Sequence, residues 1–336
     1  MIRRPFFSIV IPAFNRETEI RRAIDSCLCQ SFDDFDIIVV DDHSTDRTPE
    51  AVASMPDPRV RLLCQERNRG VCPARNEGVR ASSAEWIVFL DSDHELLPGA
   101  LARLHEAAAS TAPGIGRIGF MYGFDDGRTS PDPLPQPGPL DYVAWLRWID
   151  IVRWSDALWV TRRSCFKWCM MPETFAAEFS YHVTFAKSFI SQILPEKLAL
   201  QYTDSSNRLT VLGNAPAGAA ARQRWVDAAD DWQQVLAEHG GALLRWAPGR
   251  HERVLRAIAV SQFMAGRKWQ GLSAGLRSLR AYPRSRINWV VPALALLGPR
   301  VTRWAKTLRA HRIERAAASG NSPGWLAHPV RNSGNI

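Results

Sequence analysis

The first hundred positions divide into short apolar runs that alternate with segments in which apolar residues recur at helical spacing. Apolar runs typical of buried strands lie at 6–13, 35–40 and 85–90, and a further short strand is predicted at 60–63. The segments predicted to be helices lie between them at 17–28, 46–54 and 74–82. This succession predicts an α/β fold with a mostly parallel sheet that is flanked by helices.

Beyond residue 98 the pattern continues with interruptions. Two more helices are predicted at 98–109 and 140–153, and three more strands at 117–124, 157–160 and 197–201. Between them, proline occupies every second position from Pro131 to Pro139, which is typical of an extended loop. Such a loop could be a mobile lid or a plain surface insertion.

The last third of the chain is helical and basic. We therefore predict a catalytic domain over 1–212, a helical basic extension over 213–315 and a loosely ordered tail over 316–336. The net charge is +8, from 42 Lys and Arg against 34 Asp and Glu, and the excess is concentrated in the extension. This positive charge could serve to bind nucleic acid or an anionic membrane surface, or it could simply reflect a basic proteome. No recognised nucleic-acid module is present, so we expect no nucleic-acid partner.

The cysteines and the apolar segments indicate the compartment. Six scattered cysteines without a CxxC pair match no zinc template, so they are interpreted as buried thiols of a reducing compartment. The chain shows neither a secretory signal pattern nor an apolar run of about 18 residues. We expect a cytoplasmic protein. The basic amphipathic segment 301–309, after the apolar segment 287–297, suggests attachment to the inner face of the cell membrane; the alternative is a helical subdomain with a solvated basic face.

Acidic residues follow two of the predicted strands. Asp91 and Asp93 come directly after the strand at 85–90, and Asp42 follows the strand at 35–40. Ligands bind open α/β sheets at the carboxyl ends of their strands. Paired carboxylates suit Mg²⁺ or Mn²⁺ bridging a diphosphate. One aspartate would suffice to cap the helix that is predicted to begin at Pro98, so a second one favours a metal site.

Four motifs, in order over residues 6–98, resemble the inverting family 2 glycosyltransferases of the GT-A fold. They are Ser8 to Asn15, Ile37 to Thr48, Asn68 to Gly70 with Ala74 to Gly78, and the DxD element Asp91-Ser92-Asp93. The resemblance implies a GT-A-like sheet followed by a helical extension, and a nucleotide-sugar donor. The residues that it implies for donor binding are Pro12, Ala13, Asn15, Asp42, Arg75, Asp91 and Ser92. It also implies that Asp93, with Asp91, holds Mn²⁺ or Mg²⁺.

Several of these assignments keep an alternative. Asp42 is interpreted as the partner of the uracil ring, although it could instead cap the turn with Ser44 and Thr45. The family usually has glycine where His43 stands, so a larger side chain there could reshape the pocket for the base. Arg75 could pair with phosphate or be a solvated helix arginine, and Arg69 is open in the same way.

The catalytic base is the residue in which this chain departs most from the family. Relatives often place the base in a Glu-Asp pair ahead of a helix, and that pair is absent here. We assign the base to Glu178, with Glu173 second. His182 could hydrogen-bond Glu178 or be a core histidine, and the second reading is favoured. Asp204 is interpreted as a turn residue rather than a metal ligand.

Five tryptophans cluster between Trp145 and Trp168. Trp154 and Trp159 are predicted to be core residues, whereas Trp145 or Trp148 could face an acceptor sugar. The predicted activity is transfer of a sugar, with inversion, from a nucleotide diphosphate such as UDP to an acceptor hydroxyl. The acceptor expected is a glycan or lipid-linked intermediate of polysaccharide assembly.

Two other classes of protein remain open. A nucleotidyltransferase would normally carry a glycine-rich phosphate loop after the first strand, which the segment from Pro12 to Arg16 lacks. A non-catalytic scaffold at the membrane surface would retain the fold without the base, and the missing acidic pair near Glu178 favours that reading.

Overall fold

The computed structural model describes residues 4–152, 156–174, 178–202 and 219–290. The first hundred residues form the predicted succession of elements. They are β1 (Phe7–Ala13), α1 (Ile20–Leu28), β2 (Phe35–Asp41), α2 (Thr48–Ala53), β3 (Val60–Cys64), α3 (Val71–Ala81), β4 (Trp86–Phe89) and β5 (His94–Leu96). Long apolar runs form β1 and β2, and every residue of β1 is buried because helices cover both faces of the sheet.

The remaining elements are less regular in length. The central ones are α4 (Ala100–Ser110), β6 (Ile115–Phe124), β7 (Thr129–Ser130), β8 (Pro139–Leu140), α5 (Tyr142–Ile151), β9 (Leu158–Arg162), α6 (Glu178–Ser188) and β10 (Ile190–Gln201). Three helices follow: α7 (Ala219–Trp246), α8 (Pro248–Met264) and α9 (Lys268–Ala281).

The strands form one sheet in the order β3-β2-β1-β4-β9-β6-β10-β5, with β7 and β8 added at β6 and β10. Strands β1, β2, β3 and β4 run parallel, and β6 pairs with β10 in parallel. Strand β9 lies antiparallel between β4 and β6, so that Val160 is level with both Val88 and Ile118. The α/β fold with a mostly parallel sheet is therefore confirmed.

The sequence predicted 197–201 as a strand but missed β5 and the first half of β10, which lie at the far edge of the sheet. β5 is only three residues long, and the first half of β10 alternates irregularly between buried and exposed positions. Its pairing with β6 shifts register three times, so no period of two extends along it. The proline-rich segment, predicted to be an extended loop, lies between β7 and β8, which form its two ends. Trp148 Nε1 donates a hydrogen bond of 2.9 Å to the Pro133 carbonyl within it.

The C-terminal helices share a hydrophobic cluster with the sheet domain. Trp145 and Ile149 of α5 pack in one cluster with Val235 of α7 and Val254 and Ile258 of α8. The helical C-terminal region is confirmed over α7 to α9. The predicted boundaries at 212 and 315, and the segment 301–309, lie outside the described residues, so these domain limits stay predictions.

No disulfide joins any of the six cysteines, all of which lie in the described ranges. Cys27, Cys72, Cys165 and Cys169 are buried as expected, whereas Cys29 and Cys64 are exposed. Among the helices in the described ranges, we find none with the length and apolar character needed to span a bilayer.

Candidate active site

A cleft of about 440 Å³ opens where the parallel strands β1, β2 and β4 end. One wall is polar and carries most of the acidic residues singled out in the sequence. The predicted site residues that line it are Pro12, Ala13, Asp42, Arg75, Asp91, Ser92, Asp93 and Glu178. The other wall is aromatic and is formed by α5, α6 and α7. The carboxyl edge of the sheet thus brings these residues into one cavity, as topology requires of parallel strands.

Asp42 lies one residue beyond β2 and is fixed by the backbone of the loop before α3. Its two carboxylate oxygens accept hydrogen bonds of 2.7 Å from the amide N–H groups of Arg69 and Gly70. The turn after β2 is capped by Asp41, whose carboxylate accepts from Ser44 N–H at 3.0 Å. Burial raises the pKa of Asp42, and the two amide donors partly offset that rise. Asp41, rather than Asp42, is therefore the turn residue.

Asn15 and His43 adopt left-handed backbone conformations on either side of this wall, with φ of 52° and 63°. Asn15 Oδ1 accepts a hydrogen bond of 2.8 Å from Thr45 N–H, so its side chain holds the turn after β2. His43 is exposed and does not line the cleft. Its left-handed backbone gives a physical reason for the family's glycine, which adopts this conformation without strain.

Arg75 of α3 lies between two carboxylates in the centre of the cleft. Its guanidinium donates to Asp91 Oδ1 at 2.6 Å and to Glu178 Oε1. The side chain is only 11% exposed, so the solvated-arginine alternative was wrong. Burial alone would raise the pKa of Asp91, but Arg75 and His94 bring it below its ordinary value. Arg75 therefore neutralises the acids of the cleft.

Asp93 is mostly buried beside His94, whose Nε2 lies 3.5 Å from its carboxylate. In the described ranges, no three acidic, histidine or cysteine side chains are grouped closely enough to hold a metal ion by themselves. A cation held here by Asp91 and Asp93 would need further oxygen ligands from the substrate. Mg²⁺ is bound in this way beside phosphates, so the donor set fits a divalent cation.

The two glutamates considered as the base differ in position. Glu178 lines the cleft, but its carboxylate is engaged by Arg75. Glu173 lies outside the lining residues and accepts from Arg69 at 2.5 Å and Arg80 at 2.7 Å. Glu173 is therefore a structural ion-pair partner, and Arg69 is paired rather than directed at phosphate.

His182 interacts with a buried arginine instead of Glu178. Arg117 Nη1 and His182 Nδ1 are 2.7 Å apart, and the guanidinium lies over the rings of Trp159 and Phe185. Burial and the charge of Arg117 hold the pKa of His182 well below its ordinary value. The ring is thus neutral, with Nδ1 as the acceptor. His182 borders the cleft and is hydrogen-bonded to Arg117 rather than to Glu178.

Asp156 is a cleft residue that sequence reasoning missed. It lies two residues before β9, its side chain is exposed to the cleft, and its carbonyl accepts a hydrogen bond of 2.7 Å from Ser130 Oγ. Burial within the cleft, together with the charges of Glu178 and Asp91, raises the pKa of Asp156 to about 6. A lone aspartate ahead of a short strand matches no motif, so only the position of β9 in the sheet reveals it.

The aromatic wall contains four tryptophans, all of which line the cleft: Trp145, Trp148, Trp159 and Trp232. Trp159, predicted to be a core residue, is buried and also borders the cavity. Trp154 and Asp204 lie outside the described residues. Flat aromatic surfaces of this kind stack on the apolar faces of sugars.

Comparison with known proteins relates the first part of the chain to a glycosyltransferase family. The family model described as glycosyl transferase family 2 matches residues 8–149. The succinoglycan biosynthesis protein ExoO of Rhizobium meliloti is 46% identical over 104 residues, which are 31% of this chain and 30% of that protein. A Campylobacter jejuni GalNAc(5)-diNAcBac-PP-undecaprenol beta-1,3-glucosyltransferase is 39% identical over 107 residues, 31% and 35% of the two chains. The chain thus matches about a third of the length of these relatives.

Solved structures resemble the fold over nearly its whole length. S. aureus TarS 1–349, crystallised in complex with UDP-GlcNAc, aligns with a TM-score of 0.56 at 18% identity and covers 94% of this chain and 92% of that one. The mannosyltransferase PcManGT from Pyrobaculum calidifontis, in complex with GDP-Man and Mn²⁺, aligns with a TM-score of 0.51 at 20% identity, covering 95% and 88%. At these identities the likeness concerns the fold, which is that of GT-A glycosyltransferases.

Proposed function

We infer that this chain, whose residues 8–149 belong to glycosyl transferase family 2, transfers a sugar from a nucleotide diphosphate to an acceptor hydroxyl with inversion. One observation carries the inference: Asp42 follows β2, Asp91 and Asp93 follow β4, and all three line one cleft. That arrangement suits a ligand with a base at one end and a diphosphate at the other.

The donor would lie along the polar wall with its base near Asp42. The carboxylate of Asp42 keeps lone pairs after accepting from two amides, so it can also accept from the imide N–H of uracil. Pro12 and Ala13 line the adjoining wall, and Asn15 supports it through the turn after β2. Ser92 would contact the ribose. These contacts favour a UDP-sugar over other donors.

Asp93 and Asp91 are the side chains that would hold Mn²⁺ or Mg²⁺. When bound, the cation would neutralise the leaving diphosphate and so favour its departure. Arg75 already offsets the charge of Asp91 and can turn toward a phosphate oxygen once the donor enters. The protein therefore presents fixed positive charge where negative charge develops.

The acceptor would approach along the aromatic wall. Trp145 and Trp148 border the same cavity, and we propose that the acceptor sugar stacks on them with a hydroxyl toward the anomeric carbon. The curated relatives named above take part in polysaccharide assembly or act on undecaprenol-linked glycans. A glycan or lipid-linked intermediate is therefore the acceptor class that we propose.

The surface of α9 supports contact with an anionic membrane. Residues 265–290 contain six Lys and Arg and no acidic residue. Trp269, Leu276, Arg277 and Arg280 are exposed at helical spacing and thus share one face of α9. Trp269 is 79% exposed. A face with both cations and a bare indole ring suits a bilayer rich in anionic headgroups.

Ligand-induced stabilisation tests the donor assignment. We expect a UDP-sugar to raise the melting temperature only when Mn²⁺ or Mg²⁺ is present, because cation and diphosphate complete one site. Asp93→Asn should abolish this shift, whereas the surface variant Asp25→Asn should keep it. Stabilisation by the donor without a cation, or by no nucleotide sugar, would contradict the proposal.

The released product separates the three classes of function. A glycosyltransferase releases a nucleoside diphosphate from a sugar donor, a nucleotidyltransferase releases pyrophosphate, and a scaffold releases neither. Coupled assays for the two products, run with acceptor extracts, therefore decide among them.

Co-sedimentation with vesicles tests the membrane surface. We expect binding to vesicles that contain phosphatidylglycerol, weakened by salt, and no binding to phosphatidylcholine alone. Trp269→Ala with Arg280→Glu should lose binding. Trp168→Ala is the matched control, because Trp168 is 84% exposed on a different part of the chain. Equal loss in the control would refute the assignment to α9.

A further inference from the structure

We propose that Asp156, and not Glu178, accepts the proton from the acceptor hydroxyl; this rests on the proposed glycosyltransferase function. The motif comparison pointed to Glu178 because a Glu-Asp pair usually stands there. In this chain the residue after Glu178 is Phe179, which lies near the rings of Trp145 and Trp232. The second acid of the pair is thus replaced by an aromatic side chain of the cleft wall.

Glu178 is held in a charge pair. Its Oε1 accepts from Arg75, whose other branch binds Asp91, so the three side chains form one bridge across the cleft. A carboxylate in this position orients Arg75 and balances its charge. It is a positioning residue in this arrangement, and a base is needed elsewhere.

Asp156 has the position that such a base requires. β9 runs antiparallel between β4 and β6, with Val160 level with Val88 and Leu158 level with Phe120. Counting along these strands toward the cleft brings Asp156 to the level of residue 92 and of Tyr122. Both Tyr122 and Asp156 line the cavity, and the charge of Asp156 contributes to raising the pKa of Tyr122. Asp156 therefore lies at the edge of the sheet beside the metal-site acids.

The backbone of Asp156 is fixed while its carboxylate stays open to the cleft. Ser130, which is fully buried, donates its hydroxyl hydrogen to the Asp156 carbonyl at 2.7 Å. Ala157 and Trp159 follow directly and border the same cavity as Trp145 and Trp148. An acceptor sugar stacked on the aromatic wall would thus present its hydroxyl to Asp156.

The electrostatics support the same assignment. Burial and two neighbouring acids raise the proton affinity of Asp156, with a pKa of about 6, and a base titrating near the working pH takes up a proton efficiently.

The step balances without any further reactant. The acceptor O–H proton passes to an Asp156 carboxylate oxygen as the acceptor oxygen forms a bond to the anomeric carbon. The bond from that carbon to the diphosphate oxygen breaks, and its electron pair leaves with the nucleoside diphosphate. Attack from the face opposite the leaving group gives inversion.

Paired amide variants test the proposal. Asp156→Asn should lower kcat about 10²- to 10⁴-fold, the usual contribution of a general base. The affinity of this variant for UDP and Mn²⁺, measured by calorimetry, should stay within about twofold of wild type. A role of Asp156 in donor binding would instead weaken that affinity. Glu178→Gln should retain more turnover than Asp156→Asn does. It should change mainly the KM for the donor, because Arg75 loses its charged partner. Asp25→Asn on α1 is the charge-matched control and should keep wild-type kinetics.

The outcomes are distinguishable. Turnover of Asp156→Asn within about fivefold of wild type refutes the role of Asp156 while leaving the glycosyltransferase function intact. A large loss in Glu178→Gln with little loss in Asp156→Asn returns the base to Glu178. Absence of transfer by the wild-type protein with every donor overturns both proposals. A second variant, Asp156→Glu, guards against misfolding: it should melt like wild type and recover part of the lost kcat.

Discussion

Replacing Arg75 by Gln removes the cation that separates the central acids of the cleft. Asp91 and Glu178 would then face each other and Asp156 without compensation. Breaking a fully buried ion pair costs about 3–5 kcal/mol, whereas exposed pairs contribute about 0–1 kcal/mol. The two carboxylates are 39% and 50% exposed, so water offsets part of the loss. We therefore expect a destabilisation of about 1–2 kcal/mol.

Chemical denaturation of wild type and variant at pH 7 and pH 5 measures this cost. Loss of Arg75 raises the proton affinity of Asp91, so protonation relieves the repulsion and the difference in unfolding free energy should shrink as the pH falls. Arg80→Gln is the matched control on the same helix; Arg80 is 49% exposed and should cost less than about 1 kcal/mol. If the difference in unfolding free energy between wild type and Arg75→Gln is the same or larger at pH 5 than at pH 7, the electrostatic account is refuted.

Two further expectations concern backbone strain and histidine burial. His43→Gly should stabilise the protein by about 0.5–1 kcal/mol in thermal melts, since φ is 63° there and glycine adopts this conformation without strain; unchanged or lower stability would contradict this. The folded pKa of His182 is lowered, so its stabilising contribution is present above the unfolded pKa of about 6.5 and is lost as pH falls below it, by up to about 1.4 kcal/mol per unit. His182→Gln keeps an acceptor for Arg117 and should show a smaller loss of unfolding free energy between pH 7 and pH 5.5; an equal loss would assign the effect to other groups.

The sequence was sufficient for the part of the fold in which local signals agree. Strands β1, β2 and β4 are mainly apolar, so their burial can be predicted from the sequence itself. The acids that follow β2 and β4 then reach the same edge of the sheet, because these strands are parallel. The sequence alone therefore predicts that Asp42, Asp91 and Asp93 lie close together.

Other parts of the site depend on contacts between distant positions. Glu178 and Arg75 are 103 residues apart, and no local pattern records their ion pair. β9 enters the sheet between β4 and β6, about seventy residues after β4, and only this insertion places Asp156 in the cleft. The residue spacing along α3 likewise could not show whether Arg75 is buried or solvated. Its burial comes from the acids across the cavity and not from its own helix.

The charge of the cleft gives a physical reason for the donor and the cation to bind together. Among the described residues, five carboxylates and four guanidinium groups line it: Asp42, Asp91, Asp93, Asp156 and Glu178 against Arg16, Arg75, Arg117 and Arg250. A nucleotide diphosphate sugar alone would add two negative charges beside Asp91 and Asp93, and a divalent cation alone would compete with Arg75 for the same oxygens. Together they are neutral and leave this balance unchanged. Each should therefore raise the affinity for the other by the same factor, since coupling between two ligands is reciprocal.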